Sequence, residues 1–308
     1  MQKIKVGQAL LKFNTPRRIV QFLSFLFFSI PVFNLGALQL MLPILWTWGL
    51  NKNTVGDALT AIQIMFYDAI FPWLALASFF LVGILLGKSL CGWVCPFGFI
   101  QDLTGLITRK KKEFSPKTHE IMLYIKYLVL GITLFISVTF SAAKVAGAGG
   151  NYESAIGIFA KVPFTAISPT ETLFATLPHL VQNFSVAITE KSVFNVLSGI
   201  FSLPPLFWAQ TVIMIGVLVF SAFVPKGWCR YLCPHGAFMA ILNRFSFFGL
   251  HRDPVKCVKG ACRICVEACP MRVQILDLPW EKFNDPECIY CLKCADACQN
   301  KAIRLKYP

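Results

Sequence analysis

The sequence predicts a mainly α membrane protein, with four transmembrane helices in two pseudo-repeated pairs and a small C-terminal α+β domain. Of its 308 residues, 56% belong to the set AVILMFWYC and 14% are charged, against about 25% charged in an average soluble domain. A cysteine motif in the apolar part recurs 138 residues later, and residues 251–308 hold eight of the 12 cysteines. Too few charged side chains remain to cover a soluble protein of this size.

Four long segments without a charged residue are predicted to contain the spans. A helix needs about 20 apolar residues to cross a bilayer, and the first and last segments have length to spare for an interfacial helix. The first run is also too long for a cleavable signal peptide. The segments are residues 19–51, 69–87, 127–143 and 192–225.

Basic residues predict the orientation. They precede the first span and lie between the second and third, while the intervening loops hold few unbalanced lysines. By the positive-inside rule, both termini of this multi-pass protein lie in the cytoplasm. The net charge of +14 is then assigned to topology and to contact with anionic membrane lipid. No nucleic-acid partner is expected, because no recognition module accompanies the charge.

The predicted membrane domain covers residues 1–250 and includes a long extracytoplasmic loop, 144–191. The loop is apolar enough to lie on the membrane as amphipathic helices, one of them starting near Ser168-Pro169. Residues 251–308 form the cytoplasmic C-terminal domain. The tryptophans at the span ends are assigned to the membrane interface as anchors: Trp46, Trp48, Trp93 and Trp228.

The cysteines of the C-terminal domain are spaced for iron–sulfur clusters. Cys-x4-Cys-x2-Cys-x3-Cys-Pro is followed by Cys-x2-Cys-x2-Cys-x3-Cys. In two-cluster domains the fourth cysteine of each run ligates the other cluster. Zinc and disulfides are the weaker alternatives, because the cytoplasm is reducing and two such runs have little other use. The predicted ligands of cluster one are Cys257, Cys262, Cys265 and Cys298, and those of cluster two are Cys269, Cys288, Cys291 and Cys294.

The membrane domain carries a second kind of cysteine motif. Lys88-Ser-Leu-Cys-Gly-Trp-Val-Cys-Pro-Phe-Gly98 recurs as Lys226-Gly-Trp-Cys-Arg-Tyr-Leu-Cys-Pro-His-Gly236. The prolines predict helix starts, where a thiol has a lowered pKa and is a ready metal ligand. If the two copies face each other, they bring together Cys91, Cys95, Cys229 and Cys233. A third iron–sulfur centre, a zinc ion, a redox-active dithiol pair and purely structural cysteines all stay open.

These motifs together resemble the NapH-type membrane ferredoxins. The shared features are the two Cys-x3-Cys-Pro motifs, a C-terminal two-cluster bacterial-type ferredoxin domain, and Arg17-Arg18-x2-Gln21 before the first span. The membrane module of NosR is related. The resemblance covers nearly the whole chain. It implies two [4Fe–4S] clusters, and a protein located in the bacterial cytoplasmic (inner) membrane.

The resemblance also implies a function. It is that of a quinol dehydrogenase subunit of an anaerobic respiratory chain, active in a complex, with quinone or quinol as substrate and a ferredoxin-like or cytochrome redox subunit as partner. The alternative is an iron–sulfur redox sensor or a maturation factor for a respiratory reductase. Weak candidates for the quinone site are Glu171 and His179 in the outer loop, and His235 is a candidate to donate to a cluster sulfur or to relay a proton. Interfacial polar residues without chemistry are the competing interpretation.

Overall fold

The computed structural model describes most of the chain as packed helices with two small two-stranded sheets. The first half contains α1 (Asn14–Ser29), β1 (Met41–Leu42), β2 (Gly56–Asp57), α2 (Ala58–Tyr67), α3 (Trp73–Leu86), α4 (Ser89–Trp93) and α5 (Pro96–Ile107). β1 and β2 pair in parallel. The described residues are 14–29, 41–45, 56–108, 114–178, 180, 204–258 and 262–307.

The second half resembles the first in its order. In each half, a helix and shorter elements precede an apolar helix, which is followed by two helices. The elements are α6 (Pro116–Val145), α7 (Gly149–Ile156), α8 (Ile158–Lys161), a 3-10 turn (Thr165–Ile167), α9 (Pro169–Glu171), a π-helical turn (Thr172–Thr176), α10 (Pro205–Phe223), α11 (Gly227–Tyr231) and α12 (Pro234–Asn243).

The C-terminal domain is a small α+β unit. Its antiparallel pair joins β3 (Gly249–Arg252) to β4 (Ile303–Lys306), so the start and the end of the domain meet in one sheet. Two short helices, α13 (Ile264–Glu267) and α14 (Lys293–Ala297), each lie within one cysteine run. Apolar side chains between these elements form a core separate from that of the membrane domain: Leu250, Met271, Val273, Ile275, Phe283 and Ile289.

The two repeats of the membrane domain exchange their packing partners. α5, from the first repeat, packs along α10, and α12, from the second, packs along α3 and α6. The close approach of α12 to α3 needs Gly83, because a Cβ there would overlap the Leu242 side chain. This crossed packing brings the cysteine motif of each repeat against the other repeat.

The mainly helical fold with a small antiparallel sheet is confirmed, whereas the prediction of four spans is not. Among the described residues, two helices are long and apolar enough to cross a membrane, α6 and α10. α3 has 14 residues and rises about 21 Å, which is less than the hydrocarbon thickness of about 30 Å. Much of the first predicted span (residues 30–40 and 46–51) and the start of the fourth (192–203) lie outside the described residues.

The outer loop does not lie wholly on the membrane surface as predicted. Phe164 and Phe174 are buried in the core of the membrane domain, and the backbone N–H of Phe164 donates to Gln63 of α2 at 3.0 Å. Thr165 shares a hydrogen bond with Thr60 at 2.8 Å. The loop enters the core because α2 offers buried polar partners to its backbone and hydroxyl groups. The predicted helix start is confirmed, with Ser168 preceding α9.

Candidate iron–sulfur sites

Four cysteines of the C-terminal domain surround one cavity. They are the predicted ligands of cluster two, Cys269, Cys288, Cys291 and Cys294, and the rest of the lining is largely apolar. Burial raises the pKa of Cys269 to about 11 and the pKa values of Cys288 and Cys294 well above the ordinary range. The neighbouring thiols of the set raise these pKa values further. Iron bound to the thiolates would supply the compensating positive charge.

The backbone around this cavity donates hydrogen bonds to sulfur. The N–H groups of Met271, Arg272 and Val273 reach the Cys269 thiol, and the N–H of Tyr290 reaches Cys288. Tyr290 and Leu292 adopt left-handed conformations, with φ of 48° and 59°, which fold the Cys-x2-Cys-x2-Cys run into a tight loop. Four thiols, apolar walls and N–H donors fit a cluster, whose potential depends on such hydrogen bonds.

The predicted ligands of cluster one also lie together. Burial raises the pKa of Cys265, and Cys257, Cys262 and Cys298 each raise it further. Cys298 comes from the second cysteine run, and its Sγ accepts a hydrogen bond from the N–H of Ala302 at 3.4 Å. Cys265 in turn raises the pKa of Cys294, so the two sets of thiols are neighbours. The four cysteines predicted to hold cluster one therefore lie near one another, and their role as its ligands stays a prediction.

In the membrane domain, the same local structure occurs in both Cys-Pro-x-Gly segments. Cys95 and Cys233 precede α5 and α12 as N-caps, with proline at the first helical position. Cys233 Sγ accepts a hydrogen bond from the N–H of Gly236, three residues later, at 3.3 Å. The N–H of Gly98 holds the same position beside Cys95 and partly offsets the effect of burial on the pKa of that thiol. A Cβ on either glycine would come within 3.1 Å of the carbonyl oxygen of the motif's first cysteine. The glycine lets the helix start close to the preceding turn.

The two motifs face each other. Gln101, in α5, donates a hydrogen bond from Nε2 to Cys229 Sγ at 3.0 Å. Lys226, which opens the second motif, donates to the carbonyl oxygen of Gly98 at 2.6 Å. The rings of Phe97 and Trp228 are in edge contact, with centroids 6.1 Å apart. The crossed packing of the repeats thus brings the motifs into direct contact.

The four thiols of the motifs are close enough to shift one another's pKa. Burial raises the pKa of Cys91 to about 11 and that of Cys95 to about 12, and Cys229 raises both further. Within the described part of the chain, no three His, Cys, Asp or Glu side chains are close enough to hold a single metal ion.

A buried carboxylate anchors the N-terminal Arg-Arg segment to this site. Asp102 Oδ2 lies 3.1 Å from Arg17 and 3.2 Å from Lys226. Burial alone would raise the pKa of Asp102, but Lys226 and Arg17 outweigh it and hold the pKa well below its usual range. Gln21 donates to the carbonyl oxygen of Gly92 at 3.0 Å. Arg17 and Gln21 therefore hold α1 against the first motif.

The C-terminal domain docks on the first motif through the loop of its second cysteine run. Trp93 Nε1 donates to the carbonyl oxygen of Tyr290 at 2.8 Å, and a Cβ on Gly92 would overlap the carbonyl oxygen of Ile289. Trp93 is half-buried at this contact. Trp228 is buried inside the protein, and its assignment as an interfacial anchor is wrong. Trp46 and Trp48 lie outside the described residues.

A buried ion cluster holds the two domains together. Glu287, next to Cys288, lies 3.2 Å from Lys88 Nζ and also pairs with Lys126 Nζ of α6. Burial would raise the pKa of Glu287, but the two lysines reverse this and lower it. Asn243 of α12 donates from Nδ2 to the carbonyl oxygen of Cys288 at 3.2 Å. The loop that carries Cys288 is therefore fixed to both repeats.

The candidates for a quinone site are not brought together. Glu171 is half-buried in α9, and His179 lies outside the described residues. His235 is buried, with Nε2 3.0 Å from Asp57 Oδ1. Asp57 also caps α2 through the N–H groups of Leu59 and Thr60. Nothing in the sequence singles out four polar residues of these sites: Asp57, Gln101, Asp102 and Glu287. Lys126, which pairs with Glu287, stands out in the sequence only as a charge next to an apolar segment.

Comparison with known proteins supports iron–sulfur binding. A family described as a 4Fe-4S binding domain matches residues 69–115 and 206–252, so each match contains one Cys-x3-Cys-Pro motif. Three relatives are the ferredoxin-type protein NapH of Haemophilus influenzae, the putative electron transport protein YccM of Escherichia coli and the regulatory protein NosR of Stutzerimonas stutzeri. Their identities to this chain are 23%, 25% and 29%. No solved structure matches.

The matches differ in extent. They cover 88%, 85% and 66% of this chain, and 76%, 61% and 22% of NapH, YccM and NosR respectively. The fold, the cysteine sets and these relatives together define an iron–sulfur electron-transfer protein, and its apolar helices and relatives mark it as a membrane protein. More closely, the chain is similar to the membrane ferredoxins of the NapH and NosR type, and the resemblance predicted from the sequence is confirmed.

Proposed function

We propose that the chain exchanges electrons between the quinone pool and a redox partner, as a quinol dehydrogenase subunit of an anaerobic respiratory chain. The partner would be a ferredoxin-like or cytochrome subunit. The descriptions of two relatives support this role: YccM is a putative electron transport protein and NapH a ferredoxin-type protein. The alternative of a redox sensor or maturation factor draws its support from NosR, which is named a regulatory protein.

The proposed ligands follow the grouping of the thiols. Cys257, Cys262, Cys265 and Cys298 would hold one [4Fe–4S] cluster, and Cys269, Cys288, Cys291 and Cys294 a second. When bound, clusters of this kind supply one-electron carriers, while the protein sets their position and potential. A third cluster between the paired motifs is favoured over a dithiol, because the matched 4Fe-4S family covers both motifs.

One observation carries the proposal. The loop between Cys288 and Cys291 sits directly on Gly92 and Trp93 of the first motif. The cysteines of the C-terminal domain thereby adjoin those of the membrane domain, since Cys91 and Trp93 pack against the core that contains Cys291. This proximity supports electron exchange between centres held by the two domains.

The test is quinol-dependent reduction of the clusters. Purified full-length protein with its clusters intact is mixed anaerobically with duroquinol and followed by EPR. The electron-transfer role predicts that reduced-cluster signals appear within the mixing time of a rapid-freeze experiment. Clusters that dithionite reduces but duroquinol leaves oxidised would contradict the proposed role and favour the sensor.

A further inference from the structure

A large cavity opens where the C-terminal domain meets the membrane domain. Its volume is about 810 Å³, within the range of small-molecule sites. One wall is the first three turns of α6, a second is the end of α12, and the third is the segment 285–287 of the C-terminal domain. None of the functional residues predicted from the sequence lies in it.

The mouth of this cavity faces the surface that lipid would cover. Tyr124, Ile241 and Phe245 line it with large side chains that are 72%, 47% and 71% exposed. The same face of α6 continues with exposed Ile121 and Leu128, on a helix long and apolar enough to span a membrane. An occupant would therefore enter from the lipid and would carry an apolar tail.

The polar part of the cavity lining carries no excess of positive charge. It consists of Glu120 and Arg244, which are exposed, and of Tyr127 and Asp285, which are half-buried. The remaining carboxylate, Glu287, is already paired with two lysines. One arginine facing two carboxyl groups does not favour an anionic phospholipid headgroup. It suits a neutral ring whose oxygens both accept and donate hydrogen bonds.

The cavity also adjoins the cysteines of the second set. Asp285 and Glu287 line it, and the next residue, Cys288, lines the cavity that the four cysteines surround. The segment is held in place, since Asn243 donates to the carbonyl oxygens of both Asp285 and Cys288. A ring bound here would lie one short loop away from a candidate cluster ligand.

We propose that this cavity binds the headgroup of a lipid quinone or quinol, with Tyr127, Arg244 and Asp285 contacting the ring oxygens and Ile241 and Phe245 contacting the tail. The inference rests on the proposed function, in which the chain exchanges electrons with a quinone, and it names the site for that exchange. The site is separate from Glu171, the candidate that the sequence offered.

The test is photolabelling of the full-length protein in phosphatidylcholine nanodiscs with an azido-quinone that carries a ten-carbon tail. Label is expected in peptides that contain residues 120–127, 241–245 or 285–287. Losing one hydrogen bond to the ring should raise the half-saturating concentration about tenfold in Arg244→Gln and Tyr127→Phe. Ile241→Trp fills the exposed wall without touching the core and should abolish labelling.

The control is Tyr152→Phe, which removes a hydroxyl bonded to Thr139 at the other end of α6 and should leave labelling unchanged. Cluster absorbance checks that each variant is folded. If all three cavity variants are labelled as strongly as the wild type, the proposed quinone site is wrong, while the proposed function is unaffected. Displacement of the label by phosphatidylglycerol but not by unlabelled quinone would also overturn it. A wild-type protein that takes no label, and whose clusters duroquinol does not reduce, would overturn both.

Discussion

At the scale of the residue, hydrogen-bond donors fix the positions of several thiols. Cys233 accepts the N–H of Gly236 in the first turn of the helix that it caps. Cys229 is reached by the side chain of Gln101 from the opposite repeat. Such N–H donors stabilise negative charge on sulfur and so tune the potential of any centre held there.

The first prediction concerns the two cysteine sets of the C-terminal domain. Cys291→Ala should remove one cluster, lower iron by about four atoms per chain from at least about eight, and weaken the neighbouring cluster. Iron analysis and EPR of anaerobically prepared protein measure both effects. Cys265→Ala is the matched variant and should remove a different EPR signal. Identical spectra for the two variants, or unchanged iron in Cys291→Ala, would contradict the assignment.

The second prediction concerns Gln101, whose side chain is held by Ser221 at 3.4 Å and donates to Cys229. Gln101→Leu keeps the volume but removes the donor, so the reduced, more negative state of a centre at the paired motifs loses stabilisation. A hydrogen bond of about 1 kcal/mol corresponds to a potential lowered by about 40 mV for one electron. An EPR-monitored redox titration measures the shift. The control is Gln274→Leu, on the exposed surface, which should leave every potential unchanged. Unchanged potentials in Gln101→Leu would contradict a redox centre at these cysteines.

At the scale of the element, short helices and loops position the cysteines more than the spans do. α4 and α11 have five residues each and too little length to be stable alone. They are held by contacts with the other repeat and with the C-terminal domain. Substitutions at these contacts should therefore lower the stability of the whole molecule.

Gly92 is the closest of these contacts. A Cβ at this position would overlap the carbonyl oxygen of Ile289, so Gly92→Ala should push the C-terminal domain off the first motif and cost about 1–3 kcal/mol. The thermal unfolding midpoint in detergent measures the loss. Gly216→Ala in α10, where a Cβ meets nothing within 4 Å, is the control and should be neutral or stabilising. Equal unfolding midpoints for Gly92→Ala and Gly216→Ala would contradict a close contact between the C-terminal domain and Gly92.

The ion cluster at the same interface gives a fourth prediction. Glu287→Gln leaves Lys88 and Lys126 buried without their carboxylate, at a cost of about 3–5 kcal/mol. The double variant Glu287→Gln/Lys126→Met should recover part of that loss, because it removes one unpaired charge. Urea unfolding measures the free energy of unfolding of the two variants and of Glu281→Gln, an exposed control. A single variant as stable as the control would mean that the ion cluster contributes little.

The elements also show what the sequence could predict. The cysteine spacing and the repeat predicted which thiols belong together, because ligand geometry is encoded in short local spacings. The proline of each motif predicted the start of α5 and α12. The polar partners could not be predicted in this way. Asp57 and His235 lie far apart in the sequence yet meet in the core, and Gln101 contacts the other repeat only through crossed packing. The burial of Phe164 likewise depends on α2, which no charge or periodicity singled out.

At the scale of the whole molecule, the crossed repeats place both Cys-x3-Cys-Pro motifs at one end of the membrane domain. Two helices long enough to span lie between Cys95 and Cys229 in the sequence, α6 with 30 residues and α10 with 19. At 1.5 Å per residue they rise about 45 Å and about 28 Å, near or beyond the hydrocarbon thickness of about 30 Å. Two crossings return the chain to the side from which it started, which is what contact between the motifs requires.

The orientation of that end is the last prediction, and it follows from charge. Arg17 and Lys88 lie at the same end as the motifs and the C-terminal domain, and positive charge is retained in the cytoplasm. A green fluorescent protein fused after residue 308 should therefore fluoresce, and alkaline phosphatase fused there should be inactive. Phosphatase fused after Gly147, which follows the far end of α6, should be active and serves as the control. Phosphatase active after residue 308 and inactive after Gly147 would invert the orientation and move the proposed quinone site to the periplasmic face. Activity at both positions would place both in the periplasm. One crossing, that of α6 alone, would then separate Cys95 from Cys229, which would contradict the convergence of the two motifs.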